Sequence, residues 1–178
     1  MKNEYYSKYI KTLLKNINQF DKATSTEVEK KIRSLKNNNK VIFFGNGGSA
    51  AICNHFAIDF SKNLKVKTMT FNDVSITCLA NDYGYENWIS KAIELHANKD
   101  DLIVFISSSG NSLNHLKGAK YCRKKNFFSI SYTGFSKNKL SKITNLSLIV
   151  NSKNYNIIEN CHSVWMLTIL DKLTNAKF

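Results

Sequence analysis

The chain has 178 residues, 43% of them hydrophobic, a length and composition that suit one globular unit with a buried core. Its apolar runs stay far below the roughly 20 residues that cross a bilayer, and the N-terminal MKNEYYSKYIK lacks the apolar stretch of a signal peptide; a cytoplasmic protein without a membrane partner is expected. A formal charge of +13 admits nucleic acid or an anionic small molecule as partner, but the lysines are spread along the chain rather than gathered in a stripe, which argues against nucleic acid.

Residues 4–20 place Tyr6, Tyr9, Ile10, Leu13, Leu14, Ile17 and Phe20 at helical spacing, and 26–38 place Val28, Ile32 and Leu35 likewise. Two amphipathic helices therefore precede the first strand. Short apolar runs then recur at 41–44 (VIFF), 66–71 (VKTMTF), 102–106 (LIVFI), 127–132 (FFSISY) and 146–150 (LSLIV). Helical patterns at 49–62, 84–97, 112–125 and 157–175 separate or follow them. Strands alternating with helices predict an α/β three-layer sandwich around a five-stranded parallel sheet, preceded by the two helices. No repeat or linker divides the chain, so residues 1–178 read as one domain with 1–39 as an N-terminal helical extension. The cysteines at 53, 78, 122 and 161 form no CxxC pair and read as small buried hydrophobes rather than disulfides or zinc thiolates.

In such sheets ligands bind beyond the carboxyl ends of the strands, near the point where strand order reverses. After VIFF comes Gly45-Asn46-Gly47-Gly48-Ser49, and after LIVFI comes Ser107-Ser108-Ser109-Gly110-Asn111-Ser112. Glycines let backbone approach an oxyanion, hydroxyls donate to it, and the following helix adds free N–H groups and a positive dipole end. Two such loops at equivalent places favour anion binding over ordinary capped turns. The first also satisfies a relaxed dinucleotide fingerprint, Gly45, Gly47 and Ala50 with Asp73 downstream, but that reading leaves the serine cluster without a purpose; no nucleotide cofactor is expected.

GNGGSAAxxxHxxxD at 45–59, LANDYGYE at 79–86 and ISSSGNS at 106–112 together resemble the sugar isomerase (SIS) domain of sedoheptulose 7-phosphate isomerases, also called phosphoheptose isomerases. The resemblance spans nearly the whole chain. It implies a flavodoxin-like sandwich assembled as a homo-oligomer, with a tetramer favoured and a dimer as the alternative, and sites at subunit interfaces. It implies that Ser107, Ser108, Ser109 and Ser112 bind the sugar phosphate, and that Asn46, Gly47, Gly48, Ser49, Asn81 and Asp82 line the substrate. From the residues alone, Asn81-Asp82-Tyr83-Gly84 reads as a plain turn.

The implied reaction interconverts a ketose phosphate and an aldose phosphate through an enediol, sedoheptulose 7-phosphate and D-glycero-D-manno-heptose 7-phosphate being the family's usual pair. A base moves a proton between adjacent carbons while an acid or metal stabilises the oxyanion. Asp59 falls where the family places its catalytic Glu, and His55 where some members have a zinc ligand; four residues apart, they share a helix face. On the closing helix the family's Gln and His positions hold Glu159 and Leu167. Glu159 and His162 nevertheless share a face, so the candidate catalytic groups are Asp59, Glu159 and His162. With His55 they form a two-His, two-carboxylate set chemically suited to one Zn²⁺ per subunit. The alternative for His162 is packing against Trp165 or a polar contact. His96 and His115 match no motif and read as surface histidines; Tyr155 and Asn156 read as caps of the closing helix. A chain with the phosphate turn but without the family's histidine also fits a non-catalytic phosphosugar-binding or regulatory protein, including a replication-initiator-binding type.

Overall fold

Two amphipathic helices lead the chain in the computed structural model, which describes residues 2–177. Helix α1 (Lys2–Ile17) packs Tyr9, Leu13 and Ile17 against the core, and α2 (Lys22–Arg33) buries Val28 and Ile32. The second helix starts ahead of its apolar pattern because Asp21 caps it: the carboxylate accepts the Thr24 N–H at 3.0 Å and the Thr24 hydroxyl at 2.7 Å. These bonds hold the Asp21 carboxyl below its ordinary pKa.

Five parallel strands follow: β1 (Lys40–Gly45), β2 (Lys67–Met69), β3 (Leu102–Ser107), β4 (Phe128–Gly134) and β5 (Leu146–Val150). They lie in the order β2-β1-β3-β4-β5, so the sheet reverses direction of growth between β1 and β3. Alternate residues of the central strands feed opposite layers, as a pleat with both faces covered requires. Val41 and Phe43 join Leu102, Val104 and Ile106 under α2, α3 (Gly48–Leu64) and α7 (Tyr155–Thr174). Ile42 and Phe44 join Ile103 and Phe105 under α4 (Asp73–Tyr83), α5 (Trp88–His96) and α6 (Leu113–Lys125). The architecture is thus the expected α/β sandwich with a five-stranded parallel sheet. Among the described residues no helix is long and apolar enough to cross a membrane.

The two central strands are pinned at their amino ends by Asp101, which is 0% exposed. Its carboxylate accepts the Lys40 N–H at 2.9 Å and the Asn98 N–H at 2.8 Å and pairs with the Lys40 ammonium at 2.7 Å. A buried carboxylate is tolerable here because every strong partner is supplied locally.

Three expectations change. Residues 73–83 form α4, capped by Asn72, whose side chain accepts the Ser75 N–H, and stopped by Gly84 at φ +84. Asn81 and Asp82 therefore sit in a helix's last turn instead of a plain turn, and α5 begins only at Trp88. Cys78 is exposed, whereas Cys53, Cys122 and Cys161 are buried; all four are free. Tyr155 and Asn156 are helical residues of α7, and the cap is Asn154, whose side chain accepts the Ile157 N–H at 3.1 Å.

His162 lies in the core, not on a polar face. It is 0% exposed, its ring meets the edge of Tyr132 at 6.1 Å, and neither ring nitrogen has a hydrogen-bond partner. Burial lowers its pKa from 6.5 to about 4, with only partial opposition from the Thr133 backbone. A histidine that is neutral when folded but takes a proton when unfolded leaves stability intact above about pH 6.5 and erodes it as pH falls toward 4. Across that window this one group should remove about 3 kcal/mol, at 1.36 kcal/mol per pKa unit. Urea titrations at pH 7 and pH 4.5 should show a smaller loss on acidification in His162→Leu than in the wild type; equal losses would mean that His162 titrates normally.

Candidate functional site

The parallel register pairs Phe44 with Phe105 and Gly45 with Ile106, so β1 and β3 end at the same level. Their following loops face each other across the point where strand order reverses, where open α/β sheets bind ligands. Beyond Gly45 the chain turns so tightly into α3 that a Cβ there would lie 2.5 Å from the Ser49 carbonyl carbon. Gly47, at φ +54, is the N-cap of α3 and offers no side-chain cap; the Ser49 and Ala50 N–H groups donate to the Asn46 and Gly47 carbonyls at 3.1 and 2.9 Å, which leaves the Gly48 N–H of the first turn for a ligand.

The serine turn is braced from behind. Gly134 N–H donates to the Ser108 carbonyl at 2.9 Å, Leu140 N–H to the Gly110 carbonyl at 3.0 Å, and Lys139 N–H to Asn111 Oδ1 at 3.1 Å. Gly110 is at φ +60, and a Cβ on it would sit 2.7 Å from Asn138, which is 1% exposed. Within the turn, Ser107 Oγ accepts the Gly110 N–H and Ser109 Oγ the Asn111 N–H, both at 3.2 Å. Ser112 is the N-cap of α6 but makes no cap bond, so its hydroxyl and the Leu113 and Asn114 N–H groups are free to take an anion, while the His115 N–H goes to Asn114 Oδ1.

Helix α7 closes the third side. Ser108 Oγ donates to Glu159 Oε1 at 3.3 Å, and the carboxylate lies so close to Gly48 that a Cβ there would collide with it. The result is a cavity of about 280 Å³ between the two loops and the start of α7. It brings together Asn46, Gly47, Gly48, Ser49, Ser107, Ser108, Ser109, Ser112 and Glu159 from the sequence expectation.

Other expected residues lie elsewhere. Asn81 and Asp82 are exposed on α4 and bonded to each other, Asn81 Nδ2 donating to Asp82 Oδ1 at 3.1 Å; neither lines the cavity. His55 and Asp59 continue the α3 stripe that starts at Gly48, about two and three turns along. There His55 Nε2 meets Asp59 Oδ2 at 3.1 Å, the side chains 56% and 24% exposed. Among the described residues no three His, Cys, Asp or Glu side chains gather as a metal-holding group. With Glu159 engaged by Ser108, His162 walled into the core and His55 paired to Asp59, the four donors of one chain do not fit a tetrahedral ion. His96 is exposed, as expected.

Two cavity residues, His115 and Tyr155, and the neighbouring Asn114 escaped the sequence reading. His115 is 0% exposed rather than on the surface, and burial lowers its pKa from 6.5 to about 4 against the backbone of Phe44 and Ile106. Asn114, beside it, is 2% exposed and exchanges amide hydrogen bonds with Asn46 across the gap between loops: Asn114 Nδ2 to Asn46 Oδ1 at 2.9 Å, and Asn46 Nδ2 to Asn114 Oδ1 at 3.3 Å. Tyr155 lines the mouth one turn before Glu159, its ring edge-on to Phe135 at 5.8 Å. The available signals were position: two residues in the first turn after the serine loop, and one at i−4 from Glu159.

Residues 4–134 match the SIS domain model. The phosphoheptose isomerase of Aliarcobacter butzleri is 32% identical over 97% of this chain and 91% of its own length. Among solved structures, a phosphoheptose isomerase from Francisella tularensis superposes with a TM-score of 0.83 at 26% identity, covering 98% of this chain and 96% of the other. The phosphoheptose isomerase GmhA from Neisseria gonorrhoeae has the same fold, with a TM-score of 0.90 at 22% identity, over 99% of this chain and 100% of that one. The domain match over most of the chain and the near full-length similarity to a curated relative have one consequence: this chain belongs to the phosphoheptose isomerase family of SIS-domain proteins.

Proposed function

We propose that this protein interconverts a ketose phosphate and an aldose phosphate through an enediol, with sedoheptulose 7-phosphate and D-glycero-D-manno-heptose 7-phosphate as the pair. The observation that carries this reading is the Glu159 carboxylate, held between the glycine turn and the serine turn in one small cavity. Anion binding alone has no use for a carboxylate there; proton transfer beside a carbonyl does. The name of the Aliarcobacter butzleri relative supports the substrate class.

In this mechanism the serine turn and the α6 N-terminus hold the phosphate, and Asn46 with Gly47 and Gly48 orients the open-chain sugar. Glu159 takes the proton from the hydroxyl-bearing carbon beside the carbonyl and returns it to the former carbonyl carbon, while the hydroxyl proton passes to the carbonyl oxygen. The developing oxyanion lies against the Gly48 N–H and the positive dipole end of α3, fixed dipoles that need no imidazole. Asp59 is a positioning residue at most, since it lies about three helical turns from Gly48 and faces His55. No step passes through His162 or through a metal. The whole chain acts as one SIS unit and assembles as a homo-oligomer, a tetramer by preference. Its support is an apolar stripe on the outer face of α1, where Tyr6, Ile10 and Leu14 are 69%, 52% and 54% exposed at i, i+4 and i+8.

Solvent-proton incorporation into sedoheptulose 7-phosphate in D₂O tests the chemistry. Glu159→Gln keeps the shape and hydrogen bonding but not the base, so kcat should fall about 10²–10⁴-fold with KM little changed. Asp59→Asn should fall less than about tenfold, being outside the cavity. Loss in Asp59→Asn alone would move the base to Asp59; no exchange in wild-type protein that binds the sugar would make this a phosphosugar-binding protein. For assembly, Ile10→Asp with Leu14→Asp should shift the mass by light scattering from oligomer to monomer. An unchanged mass would remove α1 from the interface.

A further inference from the structure

His115 and Asn114 have no place in the mechanism above, although both are buried and His115 lines the cavity. Asn114 Oδ1 accepts the His115 backbone N–H at 3.0 Å, which fixes the amide's orientation because only the oxygen can accept. The same oxygen lies 3.2 Å from His115 Nδ1. An acceptor facing Nδ1 selects the tautomer that carries its proton there, leaving Nε2 bare; Nε2 has no partner. Asn114 is thus held by its neighbour on both the backbone and the ring side, and with its remaining valences it grips Asn46 in the opposite loop.

We propose that His115, acting through Asn114, is a positioning residue that clasps the glycine turn to the serine turn and so sets the spacing between the phosphate seat and the groups around the reacting carbons. The clasp is the side-chain bridge between the two loops, and it spans them at the level where the strands end. Relaxing it leaves each loop intact, since the serine turn is braced independently by Gly134, Lys139 and Leu140. Phosphate binding therefore survives while the alignment of the sugar carbons with Glu159 is lost.

The inference rests on the isomerase reading, and the test separates the two. In the full-length protein, Asn114→Ala and His115→Leu should each lower kcat about 100-fold, the size of a 1 Å misplacement, while the Kd for inorganic phosphate changes less than about twofold. His115→Asn puts an amide donor near the Nδ1 position and should keep kcat within about threefold of wild type. The double variant Asn114→Ala/His115→Leu should be no worse than Asn114→Ala, because the two act as one unit. A residue that merely fills the core predicts the opposite order, with apolar Leu tolerated better than Asn and independent losses that add. Nitrogen NMR of the wild-type imidazole gives a reading independent of turnover: His115 should carry its proton on Nδ1. A proton on Nε2, turned toward the Phe44 and Ile106 backbone, or a faster His115→Leu than His115→Asn, would overturn the clasp. Absence of turnover in the wild type would instead end the isomerase reading, with the tautomer still judging the clasp.

Discussion

The parallel pairing of β1 with β3 is the constraint on which the site depends. These strands are neighbours in space and not in sequence, and their register brings Gly45 level with Ile106. At the amino ends Asp101 locks the pair through Lys40 and Asn98; at the carboxyl ends Asn46 and Asn114 tie the emerging loops. Between the two fastenings the strands are fully buried by layers on both faces, so a slip of one residue would send Phe43 and Phe44 into the wrong layers. The loops consequently have almost no freedom to drift apart, which is what a cradle for a small charged ligand needs.

The third wall is supplied from far along the chain. Trp165 Nε1 donates to the carbonyl of Ile17 at 2.9 Å, and the Trp165 ring packs on Phe20 at 5.9 Å, so the leading helices hold α7 in place. One and a half turns or so before Trp165 on the same helix sits Glu159, over Gly48. The N-terminal helices thus serve the site without touching it. Truncation of α1 would free a buried indole N–H and loosen the helix that carries the carboxylate.

The sheet was legible because its strands are uninterrupted apolar runs and their ends are marked by glycine and serine clusters whose chemistry has few other uses. The site's anion-binding half follows from those same clusters. Helix α4 was not legible: in DVSITCLANDY three β-branched residues dilute helical propensity and only Leu79 is buried, so the apolar period never emerges, and the signals that make it a helix are the Asn72 cap and the Gly84 stop. His115 and His162 misled for a different reason. A histidine's burial is decided by what packs on it from other elements, here Phe105 for one and Tyr132 for the other, and no local pattern records that.

Those two histidines also illustrate how identical burial can serve different ends. Both are neutral because burial pulls their pKa to about 4. His162 has neither nitrogen satisfied, a standing cost with no contact that returns it at the cavity; it packs as an aromatic slab between α7 and β4. His115 spends one nitrogen on an amide that itself spans the two loops, so the same desolvated ring acquires an orienting role. Where the family's pattern has a histidine on α7, this chain has Leu167 packed against the core, and no imidazole reaches the cavity from that helix. In the proposed mechanism polarisation of the carbonyl then falls to the Gly48 N–H and the dipole of α3, which are fixed by the fold and do not titrate. A chain built this way can lose a titrating acid and keep isomerisation only if its loops are held at the correct spacing, and that is the task the Asn46, Asn114 and His115 chain performs.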